Sequence, residues 1–267
     1  MPRPPVESSF ERTLAVTGPV DLDVATHSGL IRVCGGEPGE VRIRALFRGQ
    51  RWIFGFSDPT DRMAELTGRP PIELRGNSIR VGDFGDRWLL RGITMLLEIS
   101  VPRDTRVRAL VDAGDVCIAG IAGPVLSSAD SGSIEITDID GDVRASADSG
   151  AVRIRRVKGS VDAQADSGSI EALEIGGSIN ARTDSGEIRL SQSAAAPVSA
   201  EADSGSIALQ LAPNGGYNVR VNTDSGHVRT PEMAVDSRLS RGETVGRIRG
   251  GGPMIHLQTD SGSIEIV

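Results

Sequence analysis

The chain has 267 residues, including 33 glycines and only 3% aromatic residues, and its formal net charge is −7. An acidic chain without a basic block argues against nucleic-acid binding. No apolar run is long enough for a membrane-spanning helix, and the first residues lack the apolar core of a secretory signal, so a cytoplasmic location is expected. Two cysteines are too few for a disulfide scaffold or a cysteine-rich zinc module.

Residues 10–46 contain short runs in which apolar and polar residues alternate, as at 20–24 and 30–33. This period of two is typical of strands with one buried face. His27, Ser28 and Gly29 form a relative of a tripeptide that recurs later in the chain. We therefore predict irregular first coils of a repeat structure over 10–46.

Residues 47–92 interrupt this pattern and contain most of the aromatic side chains. We predict a short helix near 61–66 and an insertion that caps the repeat, because an uncovered sheet edge pairs with other chains. The alternative is a partner-binding patch, for which the candidates are Trp52, Phe54, Phe56, Phe84 and Trp88.

The tripeptide Asp-Ser-Gly then recurs at seven positions. The copies begin at Asp130, Asp148, Asp166, Asp184, Asp203, Asp224 and Asp260, and Asp112 opens a degenerate copy. Successive intervals of 18, 18, 18, 19, 21 and 36 residues leave no room for crossover helices. The pattern predicts an all-β fold, a parallel β-solenoid with coils of about 18 residues, in which each strand pairs with its copy one period later. We expect a single domain over 1–267, with regular coils over 95–267.

Alternation within the coils assigns the two faces of each strand. One coil points Ile134, Ile136, Ile139, Val143, Ala145 and Ala147 inward, and the next places Val152, Ile154, Val157, Val161, Ala163 and Ala165 in the same positions. Outward, Glu135, Arg153, Glu171 and Arg189 alternate in sign, and Arg144 stands beside Asp162. We predict cross-strand ion pairs, each worth about 0.2–1 kcal/mol, that favour one register.

The Asp-Ser-Gly tripeptide has the composition of a structural corner. Asp accepts hydrogen bonds from nearby backbone N–H groups, and glycine adopts a positive φ without strain. The corner glycines are Gly132, Gly150, Gly168, Gly186, Gly205, Gly226 and Gly262. Stacked carboxylates about 5 Å apart repel by roughly 1 kcal/mol per pair in water, which local N–H bonds, protonation or cations could relieve.

Catalytic, cofactor and metal sites are not predicted. Calcium-binding β-rolls share the period but place Asp after the glycines, and the three isolated histidines do not suggest a serine triad.

Between Asp224 and Asp260 one coil is replaced by residues 230–253, which we predict to be a loop. The chain stops at Val267 in mid-strand. This predicts an open edge on the C-terminal coil and a homo-oligomer formed through that edge.

Residues 101–123, 129–154 and 250–267 resemble the bacterial putative-adhesin family of β-strand-repeat proteins, and 25–36 resemble its N-terminal coil. The resemblance implies a β-solenoid of right-handed type and a noncatalytic role in surface structures or the envelope. The expected function is accordingly a structural or interaction protein with a protein or envelope partner. The alternatives are a cytoplasmic self-assembling scaffold similar to bactofilins and, more remotely, a carbohydrate-active β-helix enzyme.

Overall fold

A computed structural model of the chain describes residues 6–49, 59–82, 92–230, 234–240 and 243–267. They form two compact units, Met1–Ser131 and Gly132–Val267. The fold is all-β, as predicted, with parallel strands stacked as solenoid coils. The single domain over 1–267 stays a prediction, and each unit is described separately.

The described part of the first unit contains eight strands and one helix. In chain order these are β1 (Val6–Ala15), β2 (Val20–Gly36), β3 (Glu40–Gly49), α1 (Pro59–Gly68), β4 (Ile72–Arg75), β5 (Ser78–Gly82), β6 (Ile93–Pro102), β7 (Thr105–Ala119) and β8 (Val125–Ser131). Strands β2 and β7 pair in parallel along their length and contain the first two corners. On the other side of β2, strand β5 pairs in parallel with its first half and strand β6 pairs in parallel with its second half.

The prediction of irregular coils over 10–46 is only partly right. Strand β2 is a coil strand, but β3 runs antiparallel to both β6 and β1. The connection between β2 and β3 spans only 37–39, with a left-handed turn at Gly39 (φ 83°). Three residues cannot form the second side of a coil, so the chain reverses and builds an antiparallel extension.

The predicted short helix is present as α1, which packs against β1 and β3. Its buried side chains are Met63 and Leu66. Asp61 lies in the first turn, where a negative charge interacts favourably with the helix dipole. The aromatic candidates Trp52, Phe54, Phe56, Phe84 and Trp88 lie outside the described residues, so the aromatic patch stays a prediction.

The second unit consists of strands alone in its described part. They are β9 (Ile134–Ile139), β10 (Val143–Ser149), β11 (Val152–Val157), β12 (Val161–Ser167), β13 (Ile170–Ile175), β14 (Ile179–Ser185), β15 (Ile188–Gln192), β16 (Val198–Ser204), β17 (Ile207–Gln210), β18 (Tyr217–Ser225), β19 (Val228–Arg229), β20 (Ala234–Ser240), β21 (Glu243–Ile248), β22 (Met254–Ser261) and β23 (Ile264–Ile266). Odd and even strands from β9 to β17 form the two sides of successive coils.

The predicted inward face is correct at every position. All twelve aliphatic residues assigned to the interior from Ile134 to Ala165 have at most 3% of their surface exposed. Residues 18 apart are direct neighbours, as in the pairs Ile134–Val152 and Val143–Val161. The core is therefore a set of aliphatic ladders, in which each fully buried Ile or Val contributes about 1.5–3 kcal/mol.

The C-terminal coil is not the open edge that the sequence suggested. Strand β22 lies between β16 and β18, and β23 lies between β17 and β19. The chain leaves a one-coil gap after β17, builds β18 and β19, and returns to fill the gap. Self-association by edge pairing at Ser263–Val267 therefore loses its structural basis, because that strand already has a neighbour on each side.

The segment 230–253, predicted as a loop, contains a β-hairpin. Strands β20 and β21 pair antiparallel, and β21 also pairs antiparallel with β18. Strand β18 pairs with β22 on one side, and its other side is the edge on which β21 and the rest of the hairpin pair. Its alternating apolar residues were too few to reveal this pairing from the sequence.

Candidate interaction surface

The Asp-Ser-Gly corners of the second unit stack in one column. Their serines pair across neighbouring strands in the spatial order Ser149, Ser167, Ser185, Ser204, Ser261 and Ser225. The adjacent aspartates are Asp148, Asp166, Asp184, Asp203, Asp260 and Asp224. We call these twelve side chains the Asp-Ser ridge. Because neighbouring strands are about 4.8 Å apart, the ridge presents regularly spaced carboxylates and hydroxyls.

Backbone contacts explain the glycine of each corner. A Cβ added at Gly168 would lie 1.9 Å from the carbonyl oxygen of Gly150, and one at Gly186 would lie 2.0 Å from that of Gly168. The sequence argument invoked positive φ, which applies at Gly150 (φ 141°) but not at Gly168. The close approach of stacked backbones is therefore the constraint that the column shares.

The carboxylates of the corners do not accept the backbone hydrogen bonds that we expected. Within the described residues, no hydrogen bond or ion pair is made by the side chain of Asp130, Asp148, Asp166, Asp184, Asp203, Asp224 or Asp260. The corners are held instead by backbone bonds between coils. Gly150 donates to the Ser167 carbonyl at 3.2 Å, and Gly168 donates to that of Ser185 at 3.0 Å. The aspartate and serine side chains are both exposed.

Most of the described carboxylates on the flat faces of the second unit form ion pairs, in contrast to those of the ridge. The predicted pair of Arg144 and Asp162 is present, with Nη2 and Oδ2 2.6 Å apart. Further pairs join Arg182 to Glu201, Lys158 to Asp140 and Arg156 to Asp138. The ridge is therefore the part of this unit where negative charge is repeated without a cationic neighbour.

The predicted alternating column has the right register but a different contact. Arg153 lies opposite both Glu135 and Glu171. The ion pair of Glu171, however, is with Arg155, whose pKa is raised by this hydrogen bond and by the charge of Glu171. A long guanidinium side chain reaches diagonally across strands, which register alone does not reveal.

A second charged column escaped the sequence argument. Asp138, Arg156 and Glu174 have left-handed φ values of 59°, 54° and 59°. Arg156 Nε donates to Asp138 Oδ1 at 2.6 Å, which raises the pKa of Arg156, and Glu174 raises it further. The signal was available as charges of alternating sign at intervals of 18 residues.

The first unit carries its own corner contact. His27 Nδ1 lies 2.6 Å from Asp112 Oδ2, and both side chains are exposed. His27 therefore stands where an aspartate would on β2, beside the degenerate copy at Asp112 on β7. Asp112 differs from the ridge aspartates because it has this partner.

A groove of about 420 Å³ lies on the outer face of the first unit, between β1, β3 and β6. Its charged side chains are Glu11, Arg44 and Glu98. Arg44 pairs with Glu11 at 3.0 Å, and Glu98 pairs with Arg32 at 3.2 Å. Because these charges are internally matched, the groove is a weaker candidate for a charged partner than the ridge.

Two further features of the described residues bear on function. Over the ranges that the structure describes, no three His, Cys, Asp or Glu side chains are grouped to hold a metal ion. Helix α1 is too short to cross a membrane, and no other helix occurs among these residues.

We expect chelation to leave the stability unchanged. If cations do not screen the ridge, adding EDTA to the purified protein should shift Tm by less than about 1 °C, since no binding energy is lost. Differential scanning calorimetry with and without EDTA, and after adding back Ca²⁺, measures this. A drop of several degrees that Ca²⁺ restores would contradict it and assign the ridge a cation.

Parallel coils with aliphatic ladders and stacked glycine corners define the class as a β-solenoid repeat protein. The family model described as Toastrack DUF4097 matches residues 75–267. The chain therefore belongs to this family. The match begins near the end of β4 and includes every Asp-Ser-Gly corner.

Solved structures with the same fold include a putative adhesin from Bacteroides fragilis NCTC 9343, with a TM-score of 0.54, 15% identity and 97% of each chain covered. A putative cell adhesion protein from Clostridium sporogenes ATCC 15579 also matches, with a TM-score of 0.31, 10% identity, and 97% of this chain and 99% of that chain covered. Identities this low bear on the fold alone. The curated proteins contain no match to the sequence.

Proposed function

We propose that the protein is a noncatalytic interaction module that binds a basic partner along the Asp-Ser ridge. The observation that carries the proposal is the repetition of exposed Asp and Ser where packing requires only glycine. Seven copies keep both residues, although neither side chain of a ridge corner is buried. The name of the solved structure from Bacteroides fragilis, an adhesin, supports a binding role.

The spacing of the ridge suits a multivalent partner. A row of carboxylates about 4.8 Å apart on a rigid sheet matches lysine or arginine side chains on neighbouring strands of a second sheet, and long flexible basic side chains of an extended segment can also reach it. Each exposed contact is worth only about 0.2–1 kcal/mol, so affinity depends on several contacts made together. Exposed charges are screened over about 8 Å at physiological ionic strength, so binding should weaken with salt.

The partner class follows from charge, and the proposed location follows from the relatives. We place the protein at the envelope or cell surface, where an adhesin acts. An open C-terminal edge was the feature that favoured the self-assembling scaffold. That support is lost, because β22 pairs with β16 and β18, and β23 pairs with β17 and β19. The carbohydrate-active alternative needs aromatic side chains along the coil surface, and Tyr217, the one aromatic residue that follows Trp88 in the sequence, is buried.

Two variants with the same change of charge test the proposal. The ridge variant carries Asp148→Asn, Asp166→Asn, Asp184→Asn and Asp203→Asn. The control variant carries Glu135→Gln, Glu171→Gln, Glu174→Gln and Glu201→Gln, on the outward positions of the strands. An immobilised deca-lysine peptide is the probe, and binding is measured by interferometry at two salt concentrations.

We expect the ridge variant to lose at least tenfold in affinity, while the control loses less than threefold. Equal losses would mean that net charge, rather than the ridge, attracts the probe, and the proposal would fail. Circular dichroism of each variant checks that the coils remain folded.

A further inference from the structure

We infer that the gap between two coils of the second unit accepts the C-terminal coil of a second copy of this chain, giving an exchanged dimer. The gap has β16 and β17 as one wall and β18 and β19 as the other. Residues 254–266 fill this gap and form what we call the inserted coil. The inference concerns self-exchange and does not depend on what the ridge binds.

The inserted coil makes the same contacts on both walls as any regular coil. On one wall Gly205 donates to Ser261 O and Ile207 donates to Ser263 O, both at 2.9 Å. On the other, Gly262 donates to Ser225 O at 3.0 Å and Ile264 donates to His227 O at 2.9 Å. All of these bonds are available equally to the inserted coil of another molecule, because none depends on how the coil is tethered.

The tether is a tight turn over residues 249–253. Strands β21 and β22 lie on opposite sides of β18, with Ile248 opposite Tyr217 and Met254 opposite Asn218. The turn must therefore cross the start of β18 over about 10 Å, twice the strand spacing.

The crossing is crowded and conformationally restricted. A Cβ at Gly252 would lie 2.1 Å from the Gly216 carbonyl oxygen. Arg249, Gly250 and Gly251 are all left-handed, with φ values of 49°, 87° and 92°. Left-handed backbone is unfavourable for a residue with a side chain, and Arg249 is held there by donating to the carbonyls of Ala212 and Pro213. A tether that relaxes in an exchanged dimer, while every other contact is kept, favours exchange.

The order of the chain makes exchange accessible during folding. Both walls precede the inserted coil in the sequence, so the walls can form while the gap still exposes unpaired strand edges. A coil from the same chain then competes with one from another chain. The tether sets the effective concentration of the first, and the protein concentration sets that of the second.

Disulfide trapping between full-length chains tests the inference. In a background with Cys34→Ser and Cys117→Ser, one chain carries Ser199→Cys and the other His256→Cys, which are direct neighbours on β16 and β22. Strands about 4.8 Å apart place these Cα atoms within disulfide range. The two chains are unfolded, mixed, refolded at rising concentrations and oxidised, and the products are separated on a non-reducing gel.

The matched control pairs Ser199→Cys with Asn180→Cys. These residues are also direct neighbours, but on consecutive coils that precede the gap. We expect the His256 pair to give a mixed disulfide whose yield rises at least fivefold over the concentration series, and the control pair to give less than a fifth of that yield. Equal yields from the two pairs, or no mixed disulfide at any concentration, would overturn the inference.

A second variant tests the tether. Deleting Gly250 and Gly251 leaves three residues, whose fully extended reach of about 14 Å leaves little length to pass around the backbone at the start of β18 in a crossing of about 10 Å. We expect its mass by light scattering to double, while inserting two glycines after Gly251 leaves the monomer. A folded monomer of the deletion variant would overturn the inference, and if that variant does not fold, the trapping experiment decides.

Discussion

Replacing Gly168 with alanine should lower the free energy of unfolding by about 3 kcal/mol, at the upper end for a forced overpacking. The new Cβ would lie 1.9 Å from the Gly150 carbonyl oxygen, so two coils must separate to admit it. The Gly150 oxygen belongs to the backbone and a Cβ has a fixed position, so no side-chain rotation can relieve the clash. Urea unfolding of the purified variant measures the loss.

Two control variants isolate the cause. Ser167→Ala removes an exposed hydroxyl beside the same glycine, and Gly68→Ala adds a Cβ at the end of α1 with nothing within 4 Å. Each should change the free energy of unfolding by less than about 0.5 kcal/mol. If Ser167→Ala were the damaging change and Gly168→Ala the silent one, the corner would be a chemical site rather than a packing site.

Replacing Ile264 with aspartate should cost about 4 kcal/mol or more, because a charge would enter the aliphatic interior. Ile264 is fully buried, faces Ile207 on one side and pairs with Val228 on the other. The inserted coil should detach, and the amides of β16 and β18 should lose protection in hydrogen exchange, since both strands then have a free edge.

Glu265→Asp is the matched control, because it places the same side chain one residue further along the same strand on the outward face. It should leave both the free energy of unfolding and the exchange of β16 and β18 unchanged. If Ile264→Asp behaved like this control, the C-terminal coil would not lie between the two walls.

Much of the second unit could be predicted from residue spacing. The interval of 18 and the alternation within each coil identified the strands, their parallel register and the buried face from Ile134 to Ala165. These features are local and repeated, so each copy reinforces the same pattern. The corner glycines were also identified, although the reason at Gly168 is contact between backbones rather than a left-handed φ.

The candidate surface could be predicted only in part. The sequence located the exposed Asp and Ser of each corner, but it suggested that local N–H groups would bind the carboxylates. Whether Asp166 has a partner depends on where neighbouring N–H groups and guanidinium groups point, and in the structure those groups bind elsewhere. The diagonal pair of Arg155 and Glu171 is a similar case.

Repeat period, face assignment and corner composition are properties of consecutive residues, so the amino-acid order was sufficient to define the solenoid. The order in which coils stack is not such a property. A coil that carries the Asp-Ser-Gly pattern fits beside any other, and the pattern at Asp260 is compatible with the end of the stack and with its interior. The tertiary structure decided between them, because the hairpin of β20 and β21 occupies one side of β18 and the turn at 249–253 directs β22 to the other.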